Sequence, residues 1–229
     1  MRHGHVDYFG DGERIKSFTQ VPLTDLGREQ AEEAGTALAH IEFDLAICSG
    51  LPRTLQTAQI VLAKQVARRT TISLDVDERL VEIQGGAFNE PMTREALAAR
   101  MAFTFDQAGD AGASMGEGGE FFADAQVRGV EAVLHALDRP HWKQALILAH
   151  EGTNRLLLSW ASGAGLKAVR AFEQDLACVN VLDFDMAPNS IGNGAEIVRT
   201  MIKSVNLTPY NWTKAGMNHT SIETIFQKI

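Results

Sequence analysis

The sequence predicts a three-layer α/β/α domain, a mostly parallel sheet flanked by helices. Three observations point there. Short apolar runs alternate with segments of helical period along most of the 229 residues. Two of those runs, at 43–48 and 144–148, pass almost directly into helical patterns. Unbroken apolar runs between turn signals are also how strands buried on both faces read. At this length a single core suffices, and no internal repeat or long linker divides the chain. Residues 1–229 therefore read as one domain, closed by a hairpin and tail from about 177 to 229.

Each element has a local reason. Residues 23–41 are predicted helical, with Thr24 able to cap the start and Leu26, Ala34, Leu38 and Ile41 recurring at near-helical spacing. Residues 43–48 form a buried strand stopped by Ser49-Gly50. Pro52 suits the first turn of the next helix, whose stripe is Leu55, Ala58 and Leu62. Residues 71–76 read as a strand and 93–103 as a helix. The stretch 109–119, rich in glycine with small and acidic residues, reads as an exposed loop that could serve as a lid. Residues 120–137 are helical by pattern, 144–148 form a second buried strand, and a helix follows from about Thr153. Residues 179–184 and 196–205 read as two strands joined by the turn-rich 188–194.

Composition excludes some classes. A formal net charge of -8 argues against a nucleic-acid partner. No apolar run is long enough to span a membrane, and the charged start is no signal peptide. Cys48 and Cys178 each sit in an apolar run, which predicts two buried free thiols, a reducing compartment and a cytoplasmic location. The acidic balance does not exclude an anionic ligand. An arginine about 4 Å from a phosphate attracts it by roughly 4 kcal/mol at an effective dielectric near 20. Surface charges beyond about 8–10 Å are largely screened.

Four segments carry chemistry: Arg2-His3-Gly4; Ser49-Gly50-Leu51-Pro52-Arg53 running on to Gln56-Thr57-Ala58; Leu80-Val81-Glu82; and Ala149-His150-Glu151-Gly152. Arg53 and His150 follow the predicted buried strands. Ligands gather beyond the carboxyl ends of such strands, and helix N-termini there offer free N–H groups to an anion. Two arginines, two histidines and a glutamate are the groups needed to hold a phosphoryl group, attack it and protonate what leaves. Singly, each has a plainer reading: a terminal histidine, a solvated helix arginine, a surface carboxylate, a hydrogen-bonded histidine at a core edge. In order and together they outweigh those readings.

These segments, with Pro22-Leu23-Thr24, Gly27 and Gln30-Ala31, resemble the histidine phosphatase superfamily, the group that includes cofactor-dependent phosphoglycerate mutases. The resemblance covers roughly residues 2–160. It implies that His3 is the nucleophile, that Arg2, Arg53 and His150 bind the phosphoryl oxygens, and that Glu82 is the acid and base. It implies no cofactor and no metal, since the arginines supply the charge. A metal site made by the amino terminus and His3 is disfavoured, because the same imidazole is needed in the pocket. The expected substrate is a small phosphorylated metabolite. A mutase is disfavoured because residues 83–88 offer little to bind a second acidic group, and a degenerate phosphate-binding or interaction protein because all five site residues are intact.

The departures from the family pattern are His5, Phe9, Gln20 and Glu151. Glu151, next to His150, is expected to raise its pKa. Phe9, Phe88, Phe121 and Phe122 are candidate pocket linings, and Met115 and Glu117 candidate loop contacts. The family's first strand is missing before Arg2, where only Met1 stands. Either the natural start lies upstream, or the 196–205 run or the tail to Ile229 fills the slot, from this chain or from a second copy in a homodimer. If Met1 is the natural start, a poorly held His3 and weak activity are expected.

Overall fold

Alternation along β1 (Leu45–Cys48) sorts the core into two layers. Successive strand side chains point to opposite faces. Ala46 and Cys48 join one cluster with Phe43, Ala58, Val61, Leu146 and Leu148. Ile47 joins another with Ala132, Val133, Ala149 and Leu157. This computed structural model describes residues 1–8, 18–66, 72–86, 103–188 and 195–215. The central sheet runs β2–β1–β3, with β2 at Leu74–Val76 and β3 at Ala145–Leu148, and both pairings are parallel. Ile47 lies level with Asp75 on one side and Ile147 on the other. Helices cover both faces, the three-layer arrangement expected of near-continuous apolar strands.

On the first face lie α1 (Asp25–Ala37) and α2 (Pro52–Ala63). Thr24 caps α1 as expected, its hydroxyl accepting from the Gly27 N–H at 3.1 Å. The buried stripe differs from the expected one. Leu26 is 50% exposed, and Gly27, Gln30, Ala31, Ala34 and Gly35 face inward. Close packing explains this, since a Cβ on Gly35 would stand 3.1 Å from the Val61 Cα of α2. In α2 the buried face holds Arg53, Thr54, Thr57, Ala58 and Val61, with Leu55 and Leu62 packed at its flank. On the second face lie α3 (Phe122–Leu137) and α4 (Glu151–Ala161). β4 (Val179–Pro188) and β5 (Ala195–Leu207) form a separate antiparallel pair.

The slot beside β3 is filled by the first residues of the chain. Arg2 makes a parallel bridge to Ala149, the Ala149 N–H donates to the Met1 carbonyl at 3.0 Å, and the His3 N–H donates to Ala149 at 3.3 Å. The Met1 amine donates to the Ile147 carbonyl at 2.8 Å. On the other side, the Arg2 N–H reaches the Cys178 carbonyl at 3.0 Å and the Ala177 N–H reaches the His3 carbonyl at 2.9 Å. Two expectations fail here. The 196–205 run does not fill the slot, because β5 is paired with β4. His3 is not poorly held: it is 2% exposed and gripped by backbone on both sides.

Residues 109–119 form turns, as expected, but they are tethered. The Gly86 N–H donates to Met115 at 3.2 Å and the Glu120 N–H to Gln84 at 2.9 Å, while Ala113 and Met115 pack beside Phe122 and Ile83. The predicted helix at 93–103 falls almost wholly outside the described residues, as do the 189–194 turn, the tail from 216, Phe9 and Phe88. Cys48 and Cys178 are buried and unpaired. Among the described residues, no helix is long and apolar enough to cross a membrane, and no cluster of His, Cys, Asp or Glu could hold a metal ion.

Candidate active site

The site is assembled around a backbone contact that only glycine allows. A Cβ on Gly4 would stand 2.3 Å from the Gly27 carbonyl oxygen, and one on Gly27 would stand 2.1 Å from that of His5. The start of α1 thus lies directly against the Arg2–His5 segment. Polar side chains of the neighbouring helices lock the same segment. The Gly4 N–H donates to the Thr57 hydroxyl at 3.2 Å, and the His5 N–H donates to Gln30 at 2.9 Å. The Leu23 N–H donates to Gln56 at 2.8 Å, fixing the approach to α1 from α2.

His3, Arg53 and His150 converge at the carboxyl ends of β1 and β3. The His3 Nδ1 lies 2.7 Å from the Gly4 carbonyl, which can only accept, so Nδ1 carries the proton. The Arg53 Nε–H donates to the His3 Nε2 at 3.2 Å, which marks Nε2 as the lone pair. Burial first, then Arg53 and Arg2, hold the His3 pKa well below the usual imidazole value. The His150 ring meets that of His3 edge-on, with centroids 5.2 Å apart. Its Nε2 bonds the Ser49 hydroxyl at 2.8 Å, and its Nδ1 is buried with no partner among the described residues. Burial, Arg53, His3 and Arg2 push its pKa well down. The Arg2 Nε is likewise buried and unpartnered. Buried polar atoms are rarely left unpaired, so the Arg2 Nε–H marks a place for an acceptor oxygen of a ligand, and His150 Nδ1 a place for a ligand's proton.

Glu82 stands at the start of α4. Its carboxylate accepts from the N–H groups of Ile83 at 3.0 Å, Gly152 at 3.2 Å and Thr153 at 3.2 Å. No side chain of α4 itself caps that end, so Glu82 serves as the cap from another segment. Burial nevertheless lifts its pKa above the usual carboxylate value, against those backbone bonds. Arg128 of α3 fixes the segment, its NH1 donating to the carbonyls of Arg79 at 2.6 Å and Val81 at 2.9 Å and its NH2 to that of Glu82 at 3.3 Å.

Glu151 departs from expectation. It pairs with the Arg2 guanidinium at 3.1 Å and with Arg155 at 2.8 Å, and it does not raise His150, whose pKa goes down. The Arg2 NH1 also donates to the Gln174 carbonyl. Phe122 is core, 1% exposed, and does not line the histidine pocket, whereas Phe121 and Glu117 face solvent. Several neighbours had no sequence signal as site residues. Tyr8 packs under Arg53, 6.0 Å from guanidinium carbon to ring centroid, and the Phe18 carbonyl accepts from the Arg53 NH1 at 2.7 Å. Gln174 and Arg128 lie far away in sequence, in segments whose patterns speak only of structure.

Comparison with known proteins identifies the family and the fold. A model of the histidine phosphatase superfamily, branch 1, matches residues 1–191. The adenosylcobalamin/α-ribazole phosphatase of Escherichia coli is 25% identical over 185 residues, covering 81% of this chain and 88% of that protein. An acid phosphatase of Mycobacterium tuberculosis is 28% identical over 190 residues, covering 81% and 85%. The crystal structure of the α-ribazole phosphatase from Shigella flexneri superposes with a TM-score of 0.66 at 24% identity, over 90% of this chain and 94% of that one. With the matched region spanning every residue of the histidine cluster, the chain belongs to branch 1 of the histidine phosphatase superfamily.

Proposed function

We propose that this chain is a phosphoric monoester hydrolase that acts on a small phosphorylated metabolite through a phosphohistidine intermediate. The observation that carries the reading is the buried lone pair on His3 Nε2, held by Arg53 and in ring contact with His150, together with Arg2 Nε and His150 Nδ1, which have no partner among the described residues. In the first step Nε2 attacks phosphorus, the bond to the alcohol oxygen breaks, and Glu82 protonates the departing alkoxide. In the second step water attacks phosphorus, Glu82 takes its proton, and the bond to Nε2 breaks to release inorganic phosphate and free His3. Arg2, Arg53 and His150, the last with a second proton on Nδ1 once the anion is bound, hold the three remaining oxygens, where charge spreads in the transition state. The electrostatics suit these roles. A nucleophilic imidazole must be neutral, and burial beside two arginines keeps His3 so. A carboxyl that donates a proton must stay protonated at higher pH, and burial pushes Glu82 that way.

Phosphatase relatives support hydrolysis over a mutase. The test is a phosphomonoester panel on the wild type and on His3→Ala. Release of phosphate carrying labelled oxygen from water, with a quench-trapped phosphohistidine in the wild type only, is the expected outcome. An unimpaired His3→Ala enzyme, or release without solvent oxygen, overturns the reading.

A further inference from the structure

The protons behind His150 can be counted from the distances. The Thr54 hydroxyl lies 2.9 Å from the Leu51 carbonyl, which can only accept, so the single Thr54 proton points there. Towards Ser49, at 2.9 Å, Thr54 can therefore only accept, and the Ser49 proton goes to Thr54. Towards His150, at 2.8 Å, Ser49 is left only as an acceptor, so His150 Nε2 carries a proton. All three side chains are buried, at 2%, 0% and 0% exposure for Ser49, Thr54 and His150. The opposite tautomer would set a buried Nδ1–H with no acceptor among the described residues. A second proton on the ring has one place to go, Nδ1, and adding it leaves the bond from Nε2 to Ser49 in place.

From this chain we infer that Ser49, backed by Thr54, is a positioning residue that fixes the neutral His150 as its Nε2–H tautomer and reserves Nδ1 for the proton that a monoanionic phosphoryl group brings, through which the two are then hydrogen-bonded. The inference rests on the phosphate-binding role proposed for His150. Neither Ser49 nor Thr54 touches the reacting atoms. Their effect is to orient the ring before the ligand arrives, so that no hydroxyl has to rotate when charge develops.

Two readouts test this without turnover. Nitrogen NMR of the ligand-free wild type is expected to show His150 protonated at Nε2 and bare at Nδ1. In Ser49→Ala and Thr54→Val the tautomers should mix, while Ser49→Thr and Thr54→Ser, which keep a hydroxyl, should preserve the wild-type signature. The spectra are read at a pH where His150 is neutral and compared across a titration, because His3, Arg53, Arg2 and Arg128 also face the ring. Orthovanadate, which mimics the five-coordinate transition state, should bind Ser49→Ala up to about 100-fold more weakly. Inorganic phosphate should lose less. A wild-type spectrum with the proton on Nδ1 overturns the inference even if no variant folds. So does a Ser49→Ala protein that keeps both the tautomer and the vanadate affinity. If the tautomer is as stated but no phosphohistidine ever forms, the proposed reaction fails and this assignment stands.

Discussion

At the scale of single residues, the site holds two imidazoles in the form that folding prefers to hide. His3 and His150 are both held well below the ordinary histidine pKa by burial and nearby guanidinium groups. In the unfolded chain they take up protons near pH 6.5, whereas in the fold they do not. As pH falls from 7.5 through 6.5 the unfolded state therefore gains protons that the native state refuses. Stability drops by at most about 1.4 kcal/mol per pH unit for each ring. Urea midpoints measured at pH 7.5 and 5.5 should differ less in a His3→Asn, His150→Asn double variant than in the wild type. Glu82 works in the opposite sense. Its raised pKa costs stability as pH climbs above about 4.5, so it is measured separately with Glu82→Gln. The same variant tests its chemistry. Its kcat/KM on alkyl phosphates should fall about 10²- to 10⁴-fold, and much less on an aryl phosphate whose leaving group needs no proton.

At the scale of elements, the determining contact is α1 against the Arg2–His5 segment. Gly27→Ala places a methyl 2.1 Å from the His5 carbonyl oxygen, a backbone atom with no freedom to swing aside. A loss of about 1–3 kcal/mol in urea unfolding is expected, together with reduced turnover, because His3 must shift with its neighbours. Arg128→Ala is the gentler counterpart. It releases the Arg79–Glu82 carbonyls and leaves the part-buried Glu120 without its ion-pair partner, so lower kcat together with a lower thermal midpoint is the expected result. This scale also shows why much of the site was legible in the sequence. Gly4, Gly27, Gln30, Gln56 and Thr57 each make a contact that one residue type satisfies, so their spacing carried information. The buried stripe of α1 was misread because hydrophobic periodicity favours Leu26, whereas close packing demanded small residues. Glu151 was misassigned because adjacency in sequence to His150 says nothing of which way its carboxylate turns, and Arg2 lay within its reach.

At the scale of the whole molecule, residues beyond the family match brace the Arg2–His3 end. Residues 174–178 grip Arg2 and His3, and they are held in turn from the carboxyl-terminal side. The Asn206 side chain accepts from the Asp175 N–H at 2.7 Å, Lys214 pairs with Asp175 at 2.5 Å, and the Tyr210 hydroxyl donates to the Leu176 carbonyl at 2.6 Å. None of this was visible in the sequence, because polar residues in a hairpin and tail carry no periodic signal and their partners lie some thirty to forty residues away. Cys178 sits in the middle of this strap. Its thiol is pushed up to about 11 by burial and touches Gln174 at 3.4 Å. Such a sulfur is inert to alkylation until the strap opens, which makes it a built-in clock for detachment of His3. Alkylation at Cys178, timed by mass spectrometry, should quicken in Lys214→Ala and slow when vanadate is added.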